Sequence, residues 1–173
     1  PHLNNEYILS RSEWNQYTLE TYLAPCGFSG SANSVGRTNP TQNLVDCYET
    51  MNGLPIDEDP TYDPKNPFVN RDPRLEQSIF HHGTIWGDPT QEEERKVDIT
   101  FGSGLDYQAL HGGTLTGYYS KKFCSNISFK SPTNSPKACA LFRYAEILLR
   151  RSECLNELGR TSEAMQYVDM VRA

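Results

Sequence analysis

Between residues 54 and 70 stand four prolines, Pro55, Pro60, Pro64 and Pro67. Neither a helix interior nor a central strand accepts that density, because each proline removes a backbone donor and fixes its own φ. The chain must therefore carry a long irregular surface stretch inside whatever core it builds. Two further stretches read the same way. Cys26 to Arg37 is a Gly/Ser-rich loop, and residues 102–117 hold five glycines without an apolar period.

A chain so rich in loops has few aliphatic side chains with which to cover itself. Leu, Ile, Val and Phe make up about 20% of the residues, near the lower edge for a packed core. Ten Tyr, seven Phe and two Trp supply much of the remaining apolar bulk. The length of 173 residues suits one domain of ordinary size. The net charge of −6 argues against nucleic-acid binding, which needs a basic stripe to neutralise phosphates. The longest apolar run, Ala138 to Phe142, is far short of the roughly 20 residues of a membrane-spanning helix. The chain starts at Pro1 and stops at Ala173 inside a predicted helix, so it reads as a segment of a longer protein.

Regular structure is expected in a few places. Glu6 to Ser10 predicts a short strand, and Val97 to Phe101 another. Thr41 is a good N-cap for a helix to about Met51, with Leu44, Val45, Tyr48 and Met51 on one stripe and Asn52-Gly53 as the stop. Asp72-Pro73 supplies an N-cap and a first helical position for a short turn of helix running into Leu75 to Phe80. Lys137 to Leu158 predicts a helix of about 20 residues with Leu141, Ala145, Leu148, Leu155 and Leu158 on its buried face. Gly159 ends it, and Thr161 or Ser162 caps a second helix lined by Ala164, Tyr167, Val168 and Val171. So short a turn makes the two helices antiparallel. The pair resembles one tetratricopeptide unit, with no second copy at a matching period.

Catalytic signatures are missing. No GxSxG, GxGxxG or phosphate-binding loop occurs. His81-His82 and His111 with Asp88 could ligate a metal, but adjacent histidines point different ways, so loop histidines and no metal site are expected. The acids of the Pro-rich loop read as solvated groups. The five cysteines are odd in number and form no CxxC, which excludes a zinc knuckle. They read as unpaired structural thiols, with Cys139 and Cys154 as small hydrophobes of the helical block. Arg71, Asp72 and Arg74 read as a structural cluster: Asp72 caps a turn and both arginines pin neighbouring loops through bidentate contacts. Arg143 and Glu146 read as packing and pairing residues of the long helix. Loop aromatics can stack on sugar faces or on a partner, although most are expected to serve as cover.

Four segments, in order, resemble the C-terminal part of the SusD/RagB family. They are Pro40-Thr41-Gln42-Asn43-Leu44-Val45-Asp46 with Tyr48-Glu49 and Met51-Asn52-Gly53; Tyr62-Asp63-Pro64 with Asn70-Arg71-Asp72-Pro73-Arg74-Leu75; Gly117-Tyr118-Tyr119 with Lys121-Lys122-Phe123; and Arg143-Tyr144-Ala145-Glu146-Ile147-Leu148-Leu149 through Gly159 and Ala164. Together they span about residues 4–173. The resemblance implies a mainly α fold, a superhelix of tetratricopeptide-like hairpins with a loop-rich decoration and a few short strands. Residues 1–136 would be the loop-rich segment and 137–173 the last hairpin.

The resemblance also implies a function: non-enzymatic capture of a glycan at the bacterial outer-membrane surface by a lipid-anchored protein, and its delivery to a TonB-dependent, SusC-like transporter, without a cofactor. A peptide ligand, as in RagB-like proteins, or a helical interaction scaffold without a small ligand are the alternatives. The stretch ahead of Pro40 varies in the family and reaches its binding face. Trp14, Tyr17, Tyr22 and Phe28, with Arg37 as polar neighbour, are therefore the expected ligand platform, and Trp86 an outlying candidate.

Overall fold

The computed structural model describes residues 5–15, 18–28, 36–87, 94–109, 112–124 and 136–172. It divides into two compact units, Pro1–Gln16 with Ser135–Ala173, and Tyr17–Asn134. The first sixteen residues thus group with the C-terminal hairpin rather than with the loop-rich segment.

The hairpin unit begins with β1 (Tyr7–Asn15), which pairs antiparallel with β8 (Pro136–Arg143). This corrects two expectations. The short N-terminal strand is longer than predicted, and residues 137–143 are strand rather than the first turns of a helix. Pairing with a segment far away in sequence overrides the local helical period there, and Leu141, predicted on the buried face, is 61% exposed. Arg143 accordingly sits on the strand, opposite Tyr7. The helix proper is α4 (Tyr144–Glu157). Its first free amides are satisfied from across the sheet: Tyr144 N–H donates to the Glu6 carbonyl at 2.8 Å and Ala145 N–H to Glu6 Oε1 at 3.1 Å. A carboxylate at that end also opposes the positive end of the helix dipole. Glu146 accepts from Arg150 along the exposed face of α4. Gly159, at φ +74°, turns the chain into α5 (Thr161–Arg172). Leu148, Leu155 and Ala164 are buried, and Ser152 Oγ donates to the Ala164 carbonyl at 2.8 Å.

The loop-rich unit holds α1 (Thr18–Leu23), a 3-10 turn at Cys26–Phe28, α2 (Gln42–Asp46) and α3 (Pro73–Ser78). Its strands are all two residues long: β2 (Ile79–Phe80) pairs with β7 (Tyr119–Ser120), β3 (Ile85–Trp86) with β4 (Arg95–Lys96), and β5 (Gln108–Ala109) with β6 (Gly112–Gly113). No strand forms at 97–101; Val97 is buried just beyond β4, and the chain then enters a loop.

The helix predicted to Met51 stops at Asp46 for a reason that lies elsewhere in the chain. Arg71 is buried and donates to the carbonyls of Val45 at 2.7 Å, Tyr48 at 2.8 Å and Pro67 at 2.8 Å. It thereby occupies the Val45 carbonyl, which a longer helix would give to the Glu49 N–H. Thr50 bridges to Arg71, and Asp72 N–H donates to the Glu49 carbonyl, so after one turn at 47–48 the chain pairs with the 71–72 segment instead of continuing the helix. Thr41 does cap α2, accepting from Leu44 N–H at 3.3 Å. Asp72 caps α3, accepting from Arg74 N–H at 2.8 Å. The Arg74 guanidinium folds back onto the same carboxylate instead of pinning a second loop.

Two apolar clusters organise this unit. One contains Ala24, Cys26, Phe80, Trp86, Val97 and Tyr119; the other contains Val45, Leu75 and Ile79, flanked by Tyr48, Phe68 and Tyr118. All five cysteines are free. Cys26 is the buried one, whereas Cys154 is exposed and Cys139 half-buried, contrary to their predicted roles as core residues.

Candidate functional site

The segment 36–41, just ahead of α2, is laid onto β7. Gly36 has φ +53°, and a Cβ there would stand 2.0 Å from Tyr119 Cε1, so only glycine lets the backbone lie on that ring. Ser120 N–H donates to the Thr38 carbonyl at 3.2 Å. Asn39 bonds in two directions, from Nδ2 to the Gly36 carbonyl at 2.8 Å and to Oδ1 from Leu115 N–H at 3.1 Å. Tyr118 donates to Gln42 Oε1 at 2.7 Å. An irregular segment is thus held nearly residue by residue.

Two features stand on it. At one end the Arg37 guanidinium lies over the Tyr22 ring, 4.7 Å from its centroid, while Arg37 N–H donates to the Tyr22 carbonyl at 2.8 Å. The ring remains 41% exposed. An aromatic face beside a fork of N–H donors can stack on the C–H side of a sugar and bind its hydroxyls at once. At the other end, from Thr38 onward, a groove of about 450 Å³ opens. Thr38, Thr41, Ser78 and Ser120 line it with hydroxyls, Lys122 adds a cation, and Leu44 and Ile79 supply an apolar floor. Such a lining suits a polyol.

The predicted platform is therefore brought together in part. Tyr22 and Arg37 meet. Trp14 is on β1, in the hairpin unit, opposite Lys137. Tyr17 and the side chains of Trp14 and Phe28 lie outside the described residues. Trp86 is not a loop ring: it belongs to β3, is 2% exposed and packs on Phe80 at 4.7 Å between centroids. Its flanking Gly87 and Asp88 suggested a loop, but cross-strand pairing with Arg95 draws it into the core.

Buried charge stiffens the unit at points that sequence reasoning missed. Asp106 is fully buried and receives four donors on one carboxylate. They are Arg95 Nη1 at 2.7 Å, Arg95 Nη2 at 2.9 Å, Asp98 N–H at 2.8 Å and Gly27 N–H at 3.0 Å. A Cβ on Gly27 would stand 2.6 Å from Asp106 Oδ1, so the glycine permits this approach. Tyr119 donates its hydroxyl to the Asp106 carbonyl, and burial pushes both its hydroxyl and the Cys26 thiol up, so both stay protonated. The signals available beforehand were a glycine at 27 and an acid set between Leu105 and Tyr107.

His81 is buried against Phe68, the rings stacked at 3.7 Å. Its Nδ1 faces the His82 carbonyl and its Nε2 the Glu76 carboxylate. That hydrogen bond holds Glu76 below the usual carboxylate range. His82 accepts at Nδ1 from Ile99 N–H. The His81-His82 pair is thus engaged within the fold, and no group of His, Cys, Asp and Glu among the described residues is arranged to hold a metal ion. His111 and Asp88 lie outside the described residues.

Comparison with known proteins completes the picture. A SusD-like protein from Bacteroides fragilis NCTC 9343 superposes with a TM-score of 0.71 at 20% identity, over 98% of this chain and 36% of its own. A SusD-like carbohydrate binding protein from the same organism superposes at 0.61 with 25% identity, over 97% of this chain and 34% of its own. The chain thus spans about a third of the length of these structures. Comparison with curated proteins gives no match. The family model described as SusD family matches residues 4–173, and the chain belongs to that family.

Proposed function

We propose that this chain is part of a non-catalytic surface protein that binds a glycan and passes it to a TonB-dependent, SusC-like outer-membrane transporter. The observation that carries the reading is the SusD-family match over residues 4–173. Likeness to a Bacteroides fragilis protein described as carbohydrate-binding supports it. In this reading α4 and α5 are the last hairpin of a tetratricopeptide-like superhelix, and a lipid anchor holds the protein at the outer face of the membrane. Tyr22 and Arg37 form the first contact with the ligand: the ring takes a pyranose face and the guanidinium its rim hydroxyls. Contacts of this kind exchange one water partner for another, so affinity per sugar is modest.

The test is affinity electrophoresis of the full-length gene product through gels containing a neutral polysaccharide, with melting temperature measured in parallel. Tyr22→Ala and Arg37→Ala should each weaken retention about tenfold, about 1.4 kcal/mol, at an unchanged melting temperature. Undiminished retention in both variants removes this face from the binding site. Release of reducing sugar by the wild-type protein overturns the non-catalytic reading.

A further inference from the structure

A second aromatic feature projects from the loop-rich unit, on the loop 98–107. Phe101 at its tip is 84% exposed and meets Tyr107 at 5.0 Å between centroids, the rings tilted by 56°. A ring so exposed offers a partner apolar surface to cover. Backbone hydrogen bonds close the loop at two levels. Its base is closed by Asp106 N–H donating to the Asp98 carbonyl at 2.8 Å, and its tip by Gly104 N–H donating to the Thr100 carbonyl at 2.8 Å. Gly104 permits this closure, since a Cβ there would stand 2.5 Å from both Asp98 O and Thr100 N. Beneath the base sits the buried Asp106 carboxylate, paired with the half-buried Arg95.

The loop is also joined to the segment that carries Tyr22. Gly27 donates to Asp106 at 3.0 Å and the Cys26 thiol to the Leu105 carbonyl at 3.7 Å. Those two residues belong to the 3-10 turn that follows α1, the helix that carries Tyr22. Hydrogen bonds thus connect the Tyr22 segment to the base of the Phe101 loop.

We infer that Phe101, backed by Tyr107, is a second sugar-stacking position on the ligand face, which binds a further pyranose of a neutral glycan chain. The inference rests on the carbohydrate-binding reading above and extends it. The chemistry selects this occupant. Phe101 stands on the turn that Ser103 N–H closes onto the Thr100 carbonyl at 3.2 Å, so an apolar ring is carried on a turn bearing hydroxyls, a combination that suits a pyranose. The Asp98 carboxylate, held ionised chiefly by the Thr100 hydroxyl, adds negative charge to this loop, which disfavours uronic acids although His82 and Arg95 offset part of it.

The experiment uses the full-length gene product in affinity gels of amylopectin, xyloglucan, galactomannan and, as an anionic arm, polygalacturonate. Phe101→Ala and Phe101→Leu should each weaken retention in the neutral gel that retards the wild type by about three- to tenfold, while Phe101→Trp restores it. Leucine keeps the apolarity and loses the ring, so full retention by Phe101→Leu overturns stacking. Melting temperatures should be unchanged, since the side chain is almost wholly in water. Lost retention by Tyr22→Ala with full retention by Phe101→Ala overturns this inference and leaves the first reading intact. Retardation by polygalacturonate alone overturns the neutral class, and no retardation of the wild type in any gel overturns both readings. Full retention by Phe101→Ala with lost co-purification of an outer-membrane transporter assigns the ring to a protein contact and overturns the glycan.

Discussion

In the loop-rich unit the buried residues include Asp106, Arg71, Asp59 and His81; among the described residues of the hairpin unit they are Leu148, Ser152, Leu155 and Ala164. The two lists reflect two ways of satisfying a backbone. Helices α4 and α5 bond their own amides and carbonyls, so their contact needs only apolar side chains and one hydroxyl. The loop-rich unit has strands of two residues and helices of five or six, which leave many backbone groups without a partner. Side-chain charges fill that role: Arg71 takes three carbonyls, and Asp106 takes two backbone amides besides its arginine. Asp59 does the same for the proline-rich stretch, accepting from Thr50, Asn52 and Thr61. The stability of this unit should therefore depend on a few polar residues, and that of the hairpin on contact area.

The strongest test of the contrast is Asp106→Ala. It removes the buried carboxylate that the Asp98 and Gly27 amides and the half-buried Arg95 guanidinium share, a loss of about 3–5 kcal/mol, most of it from the two orphaned amides. Chemical denaturation with hydrogen exchange at Asp98 and Gly27 should show the loop-rich unit opening while α4 and α5 stay protected. Equal loss of protection in both would mean that the units are energetically one. Arg71→Met should come next, at about 2–4 kcal/mol, because buried carbonyls lose charge-assisted bonds. Its signature is faster exchange around α2 and the 50/71 bridge; a loss below about 1 kcal/mol would show that water replaces the guanidinium freely.

Acid supplies a test without mutation. Glu76, held down by His81, Asp98, by the Thr100 hydroxyl, and Asp59, by the Thr50 hydroxyl, all lie below their ordinary values in the folded chain. A lowered folded-state value means that their contribution is complete above the ordinary carboxylate range and is lost as pH falls through the lowered values. The loop-rich unit should begin to destabilise below about pH 4.5. The hairpin unit, where the Arg160 hydrogen bond lowers Glu163 in an exposed and screened pair, should respond less. Parallel loss in both units on acidification would contradict the contrast.

How much of this was legible follows from the range of each interaction. Thr41, Asp72-Pro73 and Gly159 act within a few residues, and the caps and turns they announced are present. The strand at Pro136–Arg143 depends on a partner at the other end of the chain, so a helical period misled there. Trp86 was misjudged for the same reason: its neighbours resemble a loop, but its ring answers to Phe80 and Arg95. At the candidate site, Tyr22 with Arg37 was legible through the family pattern ahead of Pro40. The exposure of Phe101 was not, because the alternating apolar and polar residues of 97–101 resemble a strand until Gly104 and Asp106 close the loop beneath them. The Arg71 role was half legible: a dense Arg-Asp-Pro-Arg cluster signals a loop anchor, but not which arginine reaches out and which turns back.

The smallest expected effect lies in the hairpin unit and sharpens the contrast from its other side. Ser152 Oγ donates to the Ala164 carbonyl at 2.8 Å where α4 and α5 touch, and both residues are buried. That carbonyl already has its place in the hydrogen-bonding of α5, and the hydroxyl adds a second bond to it. Ser152→Ala removes donor and acceptor capacity together and leaves a methyl-sized side chain that fits the same close approach, so no buried donor is orphaned. The expected cost is about 1 kcal/mol, well below that of Asp106→Ala. Ser152→Leu should cost more than Ser152→Ala, since extra volume would push the helices apart at Ala164. Measured by denaturant unfolding of the full-length gene product, the order Leu worse than Ala marks a contact governed by shape. A cost for Ser152→Ala as large as that of Arg71→Met would place the Ser152 hydroxyl among the polar staples and remove the distinction between the two units.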